Sequence, residues 1–365
     1  MATGNKLTPS ADTYIGIEFS RGIAALMVLT AHYSIFISRD KSLLNFLSTG
    51  VDLFFVISGF VFARLILGDK NIKVRSFFIK RLFRIYPLYF IAVFVYYYFS
   101  VPSENGLLYL VKHLLFLHTT SSKAEAFFLN PPFWSLPVEM EYYMFIPLLA
   151  YLCRFNRILP VLFIFSFMLR LVLIIKTGPV GESNIYSVLA RHLTGILPEF
   201  LIGIFLYQYA VLNKKNKSIK VLYISAIAGI VIIGSLAYFS VVYGAGRISG
   251  LFNMLCALGY ALLLAPIVMV NQDRFTGKIK STFVFVGSIS YGVYLFHNAV
   301  PKALSSVGIE ISGYLAFGLC ALLTVGVSVV LNRYVEEPLR LYGRRLARRY
   351  ENSSLGAVVI SEARS

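Results

Sequence analysis

An arginine and a histidine bracket an apolar stretch, "RGIAALMVLTAH", at residues 21 to 32. Because a helix turns by about 100° and rises by about 1.5 Å per residue, Arg21 and His32 share one face at two depths, roughly 16 Å apart. A guanidinium suits anion binding, and an imidazole suits general-base catalysis. A snorkelling arginine and an interfacial histidine are the structural alternative, but ionisable residues inside apolar spans are usually functional.

Two further arginines, Arg81 and Arg84 in "KRLFRIYP", stand three residues apart and therefore on one helical face. Guanidinium groups placed in this way suit the phosphates of a nucleotide-like ligand. Glu18, three residues before Arg21, is positioned to orient it. The alternative for Arg81 and Arg84 is ordinary charge at the inner membrane face.

A second group of polar residues is expected toward the outer side of the spans: His32, Asp52, Glu139, Glu141, Glu199 and His297. Several carboxylates and two imidazoles buried at one depth are too costly to be packing alone, although Glu199 could simply pair with a cation. A general base with carboxylate neighbours would then be separated from the arginine site by about the length of a pantetheine arm. This arrangement suits acyl transfer from a CoA thioester.

Several other chemistries lack their sequence motifs. The chain has no G-x-S-x-G elbow, H-E-x-x-H pair, P-loop or G-x-G-x-x-G turn, which disfavours a hydrolase triad, a zinc peptidase and an ATP-driven pump. Cys153, Cys256 and Cys320 show no metal-ligand spacing. We therefore expect neither a metal site nor a disulfide framework.

The composition predicts the elements that hold these residues. The 365 residues are 58% hydrophobic and 14% charged, with a mean hydropathy of +0.73, which indicates an all-α polytopic membrane protein. Ten apolar windows have about the length of a bilayer span: residues 15–37, 47–68, 85–101, 134–152, 158–175, 194–212, 220–243, 250–270, 282–301 and 311–332.

Basic residues set the expected orientation. With both termini in the cytoplasm, the clusters at 69–84, 213–220 and 340–350 face inward, as the positive-inside rule requires. The net charge of +17 then lies mostly on one membrane face, so nucleic acid is not the expected partner. The predicted organisation is a cytoplasmic segment, a transmembrane domain and a basic cytoplasmic tail: residues 1–14, 15–333 and 334–365.

Taken in order, these motifs resemble the membrane acyltransferase 3 family of bacterial O-acyltransferases over nearly the whole chain. The matching features are Arg21 and His32, "GVDLFFVISGF" with Asp52, Ser58 and Gly59, Arg81 and Arg84 before "IYP", Trp134, Ser135 and Leu136 followed by Glu139, "SYGVYLFHN" and the closing "EEPLR". Each motif is weak alone, but several in order are specific.

The resemblance implies a multi-pass enzyme of the bacterial inner membrane. It would move an acyl group, expected to be acetyl, from cytoplasmic acyl-CoA to a sugar hydroxyl. The acceptor would be a surface polysaccharide, such as an O-antigen or exopolysaccharide, or its lipid-linked precursor. Besides acyl-CoA and the sugar, the expected partner is the lipid bilayer. The oligomeric state stays open, a homo-oligomer included.

The resemblance also implies roles for individual residues. His32 would be the general base, and Asp52 and Glu139 would orient it or bind sugar hydroxyls. The expected donor-site residues are Arg21, Arg81, Arg84, Glu18 and Ser58. The expected acceptor-site residues are Trp134, Ser135, Tyr291, His297 and Glu199.

Two alternatives are left open. One is a covalent acyl relay on His32 or Ser58 within the same enzyme. The other is a transporter or flippase for a lipid-linked sugar, since many spans with polar residues at the midplane fit that class too. No internal repeat is visible in the sequence, which counts against transport, and a purely structural scaffold fits the buried ionisable groups poorly.

Overall fold

The structure is a computed structural model that describes residues 14–37, 42–68, 72–100, 103–155, 157–177, 184–213, 218–243, 249–270 and 275–362. Almost all of the expected N-terminal segment, residues 1–13, lies outside the described residues. So do residues 69–71 and 214–217 of two basic clusters and residues 363–365 of the tail. Within the described part, every regular element is helical, as the apolar composition predicts.

Sixteen α-helices follow one another along the described chain. They are α1 (Ile15–Ile37), α2 (Ser42–Phe46), α3 (Gly50–Ile66), α4 (Val74–Tyr98), α5 (Gly106–Leu114), α6 (Lys123–Ala126), α7 (Ser135–Leu152), α8 (Ile158–Thr177), α9 (Ile185–Ala190), α10 (Leu193–Tyr207), α11 (Ile219–Tyr243), α12 (Ser249–Met269), α13 (Gly277–Phe296), α14 (Ala299–Ser306), α15 (Gly313–Leu331) and α16 (Glu337–Glu362). A π-helical turn, Asn332–Glu336, joins α15 to α16 without a break.

Eight helical segments of the described chain are long and apolar enough to cross a membrane, which corrects the expected count of ten. The two windows that fall short form helices, but these are less apolar. Helix α4 has three arginines and one lysine in its first half, and α7 has two glutamates in 18 residues. Large apolar side chains such as Phe165 and Leu322 are exposed, as expected for residues that contact lipid.

Helices α3 and α10 approach most closely at two glycines. A Cβ added to Gly59 would lie 2.0 Å from the Phe200 carbonyl oxygen, and one added to Gly203 would lie 2.1 Å from the Val56 oxygen. The two backbones can touch only because these positions lack side chains. Beside this contact the ring of Phe200 stacks on that of Tyr142, with centroids 3.9 Å apart, so α7 joins the same core.

The basic tail extends as helix α16 and packs along α4. A Cβ on Gly343 would lie 2.4 Å from the Phe83 Cβ, and Ala347, four residues later, is fully buried. Lys80 donates to Glu351 at 3.0 Å. Residues 337–352 are therefore a packed part of the fold, not a loose appendage.

Candidate active site

A cavity with an empty volume of about 830 Å³ opens between helices α1, α3, α4, α7 and α13. Its walls combine apolar and aromatic side chains with a few charged and hydroxyl groups, as is usual for small-molecule sites. The polar and aromatic members are Arg21, Phe54, Phe55, Ser58, Phe62, Arg81, Arg84, Ser135, Glu139, Tyr143, Ser290, Tyr291 and Tyr294.

Two of the three arginines in the cavity have acidic neighbours. Arg21 lies 3.8 Å from Glu18, the residue expected to orient it. Arg84 forms an ion pair with Glu336, which is almost fully buried at the junction of α15 and α16. Helix α1, helix α4 and the end of α15 therefore meet at one charged corner of the cavity.

Arg81 is held differently, by aromatic rings. Its guanidinium carbon lies 5.1 Å from the Phe62 ring centroid and 6.0 Å from that of Tyr143, within the range of cation–π attraction. Its Nε is buried and has no hydrogen-bond partner among the described residues. A buried donor without a partner is costly, so an anion in the cavity would satisfy it.

Glu139 shares the cavity with these arginines. Ser58 donates a hydrogen bond to its Oε1 at 3.2 Å, and Tyr143, one turn further along α7, donates to the same oxygen. Glu139 was expected in the outer group of polar residues. In the structure it lies near Arg81, since Tyr143 donates a hydrogen bond to Glu139 and its ring lies 6.0 Å from the Arg81 guanidinium carbon.

His32 and His297 form a ring pair next to the cavity. Their ring centroids are 4.9 Å apart. His32 Nδ1 lies 2.9 Å from the Val28 carbonyl oxygen, which can only accept, so Nδ1 carries the proton and Nε2 has the free lone pair. This is the tautomer that a general base with Nε2 as its reactive atom requires.

His297 is fully buried at the C-terminal end of α13, directly after Phe296. Its Nδ1 lies 2.9 Å from the Tyr294 carbonyl oxygen, while Nε2 has no hydrogen-bond partner among the described residues. Tyr33 donates to the His297 carbonyl oxygen and lies 2.9 Å from the Thr324 hydroxyl. The histidine pair is thus held between α1, α13 and α15, and His297 Nε2 remains available to a hydrogen-bond donor or acceptor of a ligand.

Tyr294 connects the histidine pair to the cavity. The centroid of its ring lies 6.4 Å from the centroid of the His297 ring, and Tyr294 also forms part of the cavity wall. Its hydroxyl lies 2.6 Å from the Ser135 hydroxyl, which lines the same wall. Neither histidine lines the cavity itself, so the site has an arginine-bearing chamber and an adjoining histidine pair.

Asp52 and Glu199 belong to a separate buried cluster. Asn253 donates to both Asp52 oxygens, at 3.0 and 2.9 Å. Arg170 pairs with Glu199 at 2.7 Å, and Glu199 lies beside Asp52. Within the described chain no hydrogen bond joins Asp52 to His32. The arrangement therefore gives no support to Asp52 as the group that orients the base, or to Glu199 as an acceptor contact.

The structure thus groups the expected site residues unevenly. Seven line the cavity: Arg21, Ser58, Arg81, Arg84, Ser135, Glu139 and Tyr291. Six do not: Glu18, His32, Asp52, Trp134, Glu199 and His297. Trp134 packs edge-to-face against Phe55 of the wall, with ring centroids 6.1 Å apart.

Sequence reasoning missed several partners of these residues. Glu141 does not extend an acidic cluster, because it pairs with His192 and accepts a hydrogen bond from the Leu193 backbone at 2.7 Å. Asn253 is neutral and gave no charge signal. Glu336 had one usable signal, since an acid at the junction of an apolar span and a basic helix is expected to need a cation.

Another histidine pair lies outside the cavity, in the segment between α4 and α7. The rings of His113 and His118 stack with centroids 4.0 Å apart, and both residues are fully buried. Burial lowers the pKa of His113 from its usual 6.5 to about 4 and that of His118 to about 3, because a charged imidazole would lose its hydration. Both rings are therefore neutral at physiological pH.

Metal ligation finds no support in the described part of the chain. No group of three or more His, Cys, Asp or Glu side chains is arranged there to hold an ion. Cys153, Cys256 and Cys320 are free thiols.

Comparisons with known proteins give a consistent result. Residues 14–333 match a family model described as an acyltransferase domain. A protein of Acidianus two-tailed virus that is named as an acetyltransferase is 28% identical over 307 residues, covering 81% of this chain and 86% of its own. A protein of Staphylococcus aureus strain COL, named as an O-acetyltransferase, is 26% identical over 360 residues.

The staphylococcal relatives are longer proteins. The match covers 90% of this chain but only 57% of the strain COL protein. The O-acetyltransferase OatA of strain NCTC 8325 is 24% identical over 321 residues, covering 80% of this chain and 53% of its own. No solved structure matches the chain.

Proposed function

The chain belongs to the acyltransferase family whose model matches residues 14–333, and from that premise we propose that it moves an acetyl group from acetyl-CoA to a sugar hydroxyl. The donor would enter from the cytoplasmic face of a bacterial inner membrane. The acceptor would be a surface polysaccharide or its lipid-linked precursor. The names of the relatives support acetyl as the acyl group.

One observation carries this proposal: the cavity brings three arginines together and adjoins a histidine pair. Arg21 comes from α1, while Arg81 and Arg84 come from α4, and all three line one chamber. The wall reaches Tyr294, which contacts His297. A site that joins an anion-binding chamber to a base suits a thioester whose carrier bears phosphates.

On the donor side, Arg21 and Arg81 would bind the CoA phosphates. Arg84 contributes less net charge because Glu336 offsets it. The aromatic rings that hold Arg81 keep its guanidinium ordered, which lowers the entropy lost on binding. Ser58 and Tyr143 donate to Glu139, which fixes that carboxylate in the chamber and leaves its other oxygen for the substrate.

On the acceptor side, His32 Nε2 would take the proton from the sugar hydroxyl as its oxygen attacks the thioester carbonyl. The carbon–sulfur bond then breaks, and the proton passes from His32 to the departing thiolate. His297 Nε2, which has no described partner, is available to a hydroxyl of the acceptor. No covalent acyl-enzyme is needed for this sequence.

Family membership favours this reaction over transport of a lipid-linked sugar. In addition, the charged residues that line the cavity, Arg21, Arg81, Arg84 and Glu139, all come from the first half of the chain. A transporter built from repeats is expected to place its polar residues on paired, broken helices from both halves.

The test separates donor binding from chemistry. In protein purified into lipid nanodiscs, Arg81→Gln should weaken CoA binding by about tenfold or more, the value of a charge-assisted hydrogen bond. His32→Gln should abolish acetyl transfer while CoA affinity stays near that of the wild type, because it removes a proton acceptor only. Lys278→Gln, an exposed cation at the start of α13, is the control.

Calorimetry of CoA binding and NMR of the glycan product give the two readouts. If Arg81→Gln binds CoA as tightly as the wild type, the cavity is not the donor site. Full transfer by His32→Gln would remove His32 as the base.

A further inference from the structure

The basic helix α16 runs antiparallel to α4 and reaches the arginine corner of the cavity. Just before it begins, Glu336 pairs with Arg84. About midway along it, Glu351 accepts hydrogen bonds from Ser76 and Lys80, which precede Arg84 on α4. Rising residue numbers on α16 therefore match falling numbers on α4, and the first turns of α16 lie level with the cavity arginines.

Helical geometry shows which arginines of α16 face α4. Gly343 and Ala347 mark the contact face, because one touches Phe83 and the other is fully buried. At about 100° per residue, Arg340 points about 40° from the middle of that face and Arg344 about 80° from it. Arg345 points about 180° away, into the surroundings.

These cations gather around the cavity corner. Arg84 lies within electrostatic range of Arg21, Arg81 and Arg340. Arg344 lies within range of Arg81 and Arg340. The buried Nε of Arg340 has no hydrogen-bond partner among the described residues. Five guanidinium groups from α1, α4 and α16 thus form one continuous basic surface, which we call the arginine corner.

Among the described residues, fewer acidic side chains lie near the arginine corner than its five arginines, even when Glu139 of the same cavity is included. Those in contact with its guanidinium groups are Glu18, Glu336 and Glu337, the last at 3.5 Å from Arg340. Like charges held together repel one another, and an anion bound among them relieves that cost. Arg344 is exposed and has no ion pair among the described residues, so its charge is available to a ligand.

We propose that Arg340 and Arg344 bind the phosphate monoester on the ribose of the acyl donor, the 3′-phosphate of CoA. This inference rests on the proposed function and extends its donor site. The diphosphate of CoA lies nearer to the thioester and would occupy Arg21 and Arg81 inside the cavity. The 3′-phosphate lies further along the molecule, where α16 supplies the next cations, and its charge of nearly −2 suits two guanidinium groups.

The test compares acetyl-CoA with 3′-dephospho-acetyl-CoA, which lacks only that phosphate. In nanodiscs of zwitterionic lipid, where no anionic headgroup competes, wild-type protein should have a KM about tenfold lower for acetyl-CoA, with similar kcat for both donors. Arg344→Gln should bring the two KM values close together, and Arg344→Lys should restore part of the difference. The KM for the dephosphorylated donor should change little.

The matched control is Arg345→Gln, which removes the same charge from the opposite face of α16 and should keep the wild-type ratio. Arg340→Gln tests the second cation, with size-exclusion chromatography to verify its folding. An equal loss for both donors in Arg344→Gln would indicate a diffuse charge effect and overturn the assignment.

The inference and the proposed function can fail separately. If the wild type uses both donors with equal KM, the inference is wrong and the proposed function stands. If the wild type does not use acetyl-CoA at all, the proposed function itself is wrong.

Discussion

The ion pair between Arg170 and Glu199 should be essential to the stability of the helix bundle. Arg170 on α8 and Glu199 on α10 meet at 2.7 Å, with 5% and 0% of their side chains exposed. Arg170→Met keeps most of the side-chain volume but leaves Glu199 beside Asp52 without a cation. Removing one partner of a buried pair costs about 3–5 kcal/mol, so we expect a loss of this size in the free energy of unfolding.

The assay is chemical unfolding of purified protein in one detergent, followed by tryptophan fluorescence and circular dichroism. Lys176→Met is the control, because it removes the same charge from an exposed position on the same helix and should change stability by less than about 0.5 kcal/mol. The double variant Arg170→Met/Glu199→Gln has no uncompensated charge at this pair. It should recover much of the loss, since neutral replacements of buried ion pairs are often well tolerated.

Equal unfolding curves for Arg170→Met and Lys176→Met would refute this reasoning. So would a double variant that loses the full sum of the two single changes. Either result would mean that Glu199 does not depend on Arg170, and the contact between α8 and α10 would rest on apolar packing alone.

Three further predictions follow from the described contacts. The stability that depends on His113 and His118 should be fully present well above pH 6.5 and fall as the pH drops toward 4, because both residues bind protons more readily when unfolded. His113→Phe with His118→Phe should flatten this part of the pH dependence in unfolding experiments. Gly59→Leu should abolish folding in a size-exclusion assay, since the Phe200 carbonyl already occupies the space, whereas Gly234→Leu meets nothing within 4 Å and should fold normally. Glu139→Gln should lower kcat in the acetyl-transfer assay, and an unchanged kcat would exclude its carboxylate from the reaction.

Local patterns allowed much of the fold to be predicted. A long apolar run can only be a helix in a bilayer, so the positions of most spans were readable from hydropathy alone. The count was too high because α4 and α7 contain charged residues. Some of these residues, Arg81, Arg84 and Glu139, line the cavity, and they lower the average hydropathy of helices that belong to the same bundle.

Contacts between distant parts of the chain could not be predicted in the same way. Arg21 and His32 were placed on one face of α1 from their spacing, but the ring contact of His32 with His297 depends on how α1 packs against α13. Asp52 is a similar case. Its charge marked it as functional, yet its hydrogen bonds to Asn253 depend on a neutral residue 201 positions away. Periodicity within a single helix does not specify such partners.

Helices α15 and α16 and the π-helical turn between them form one unbroken helical segment. The part from residue 313 to residue 352 is 40 residues long. At about 1.5 Å per residue such a rod is about 60 Å long, twice the hydrocarbon thickness of a membrane. Thr324, whose hydroxyl contacts that of Tyr33, and Arg340 at the arginine corner both lie on this segment, about 24 Å apart along its axis. One continuous helical segment therefore carries both a residue that supports the histidine pair and a residue of the arginine corner, and its length sets the distance between them.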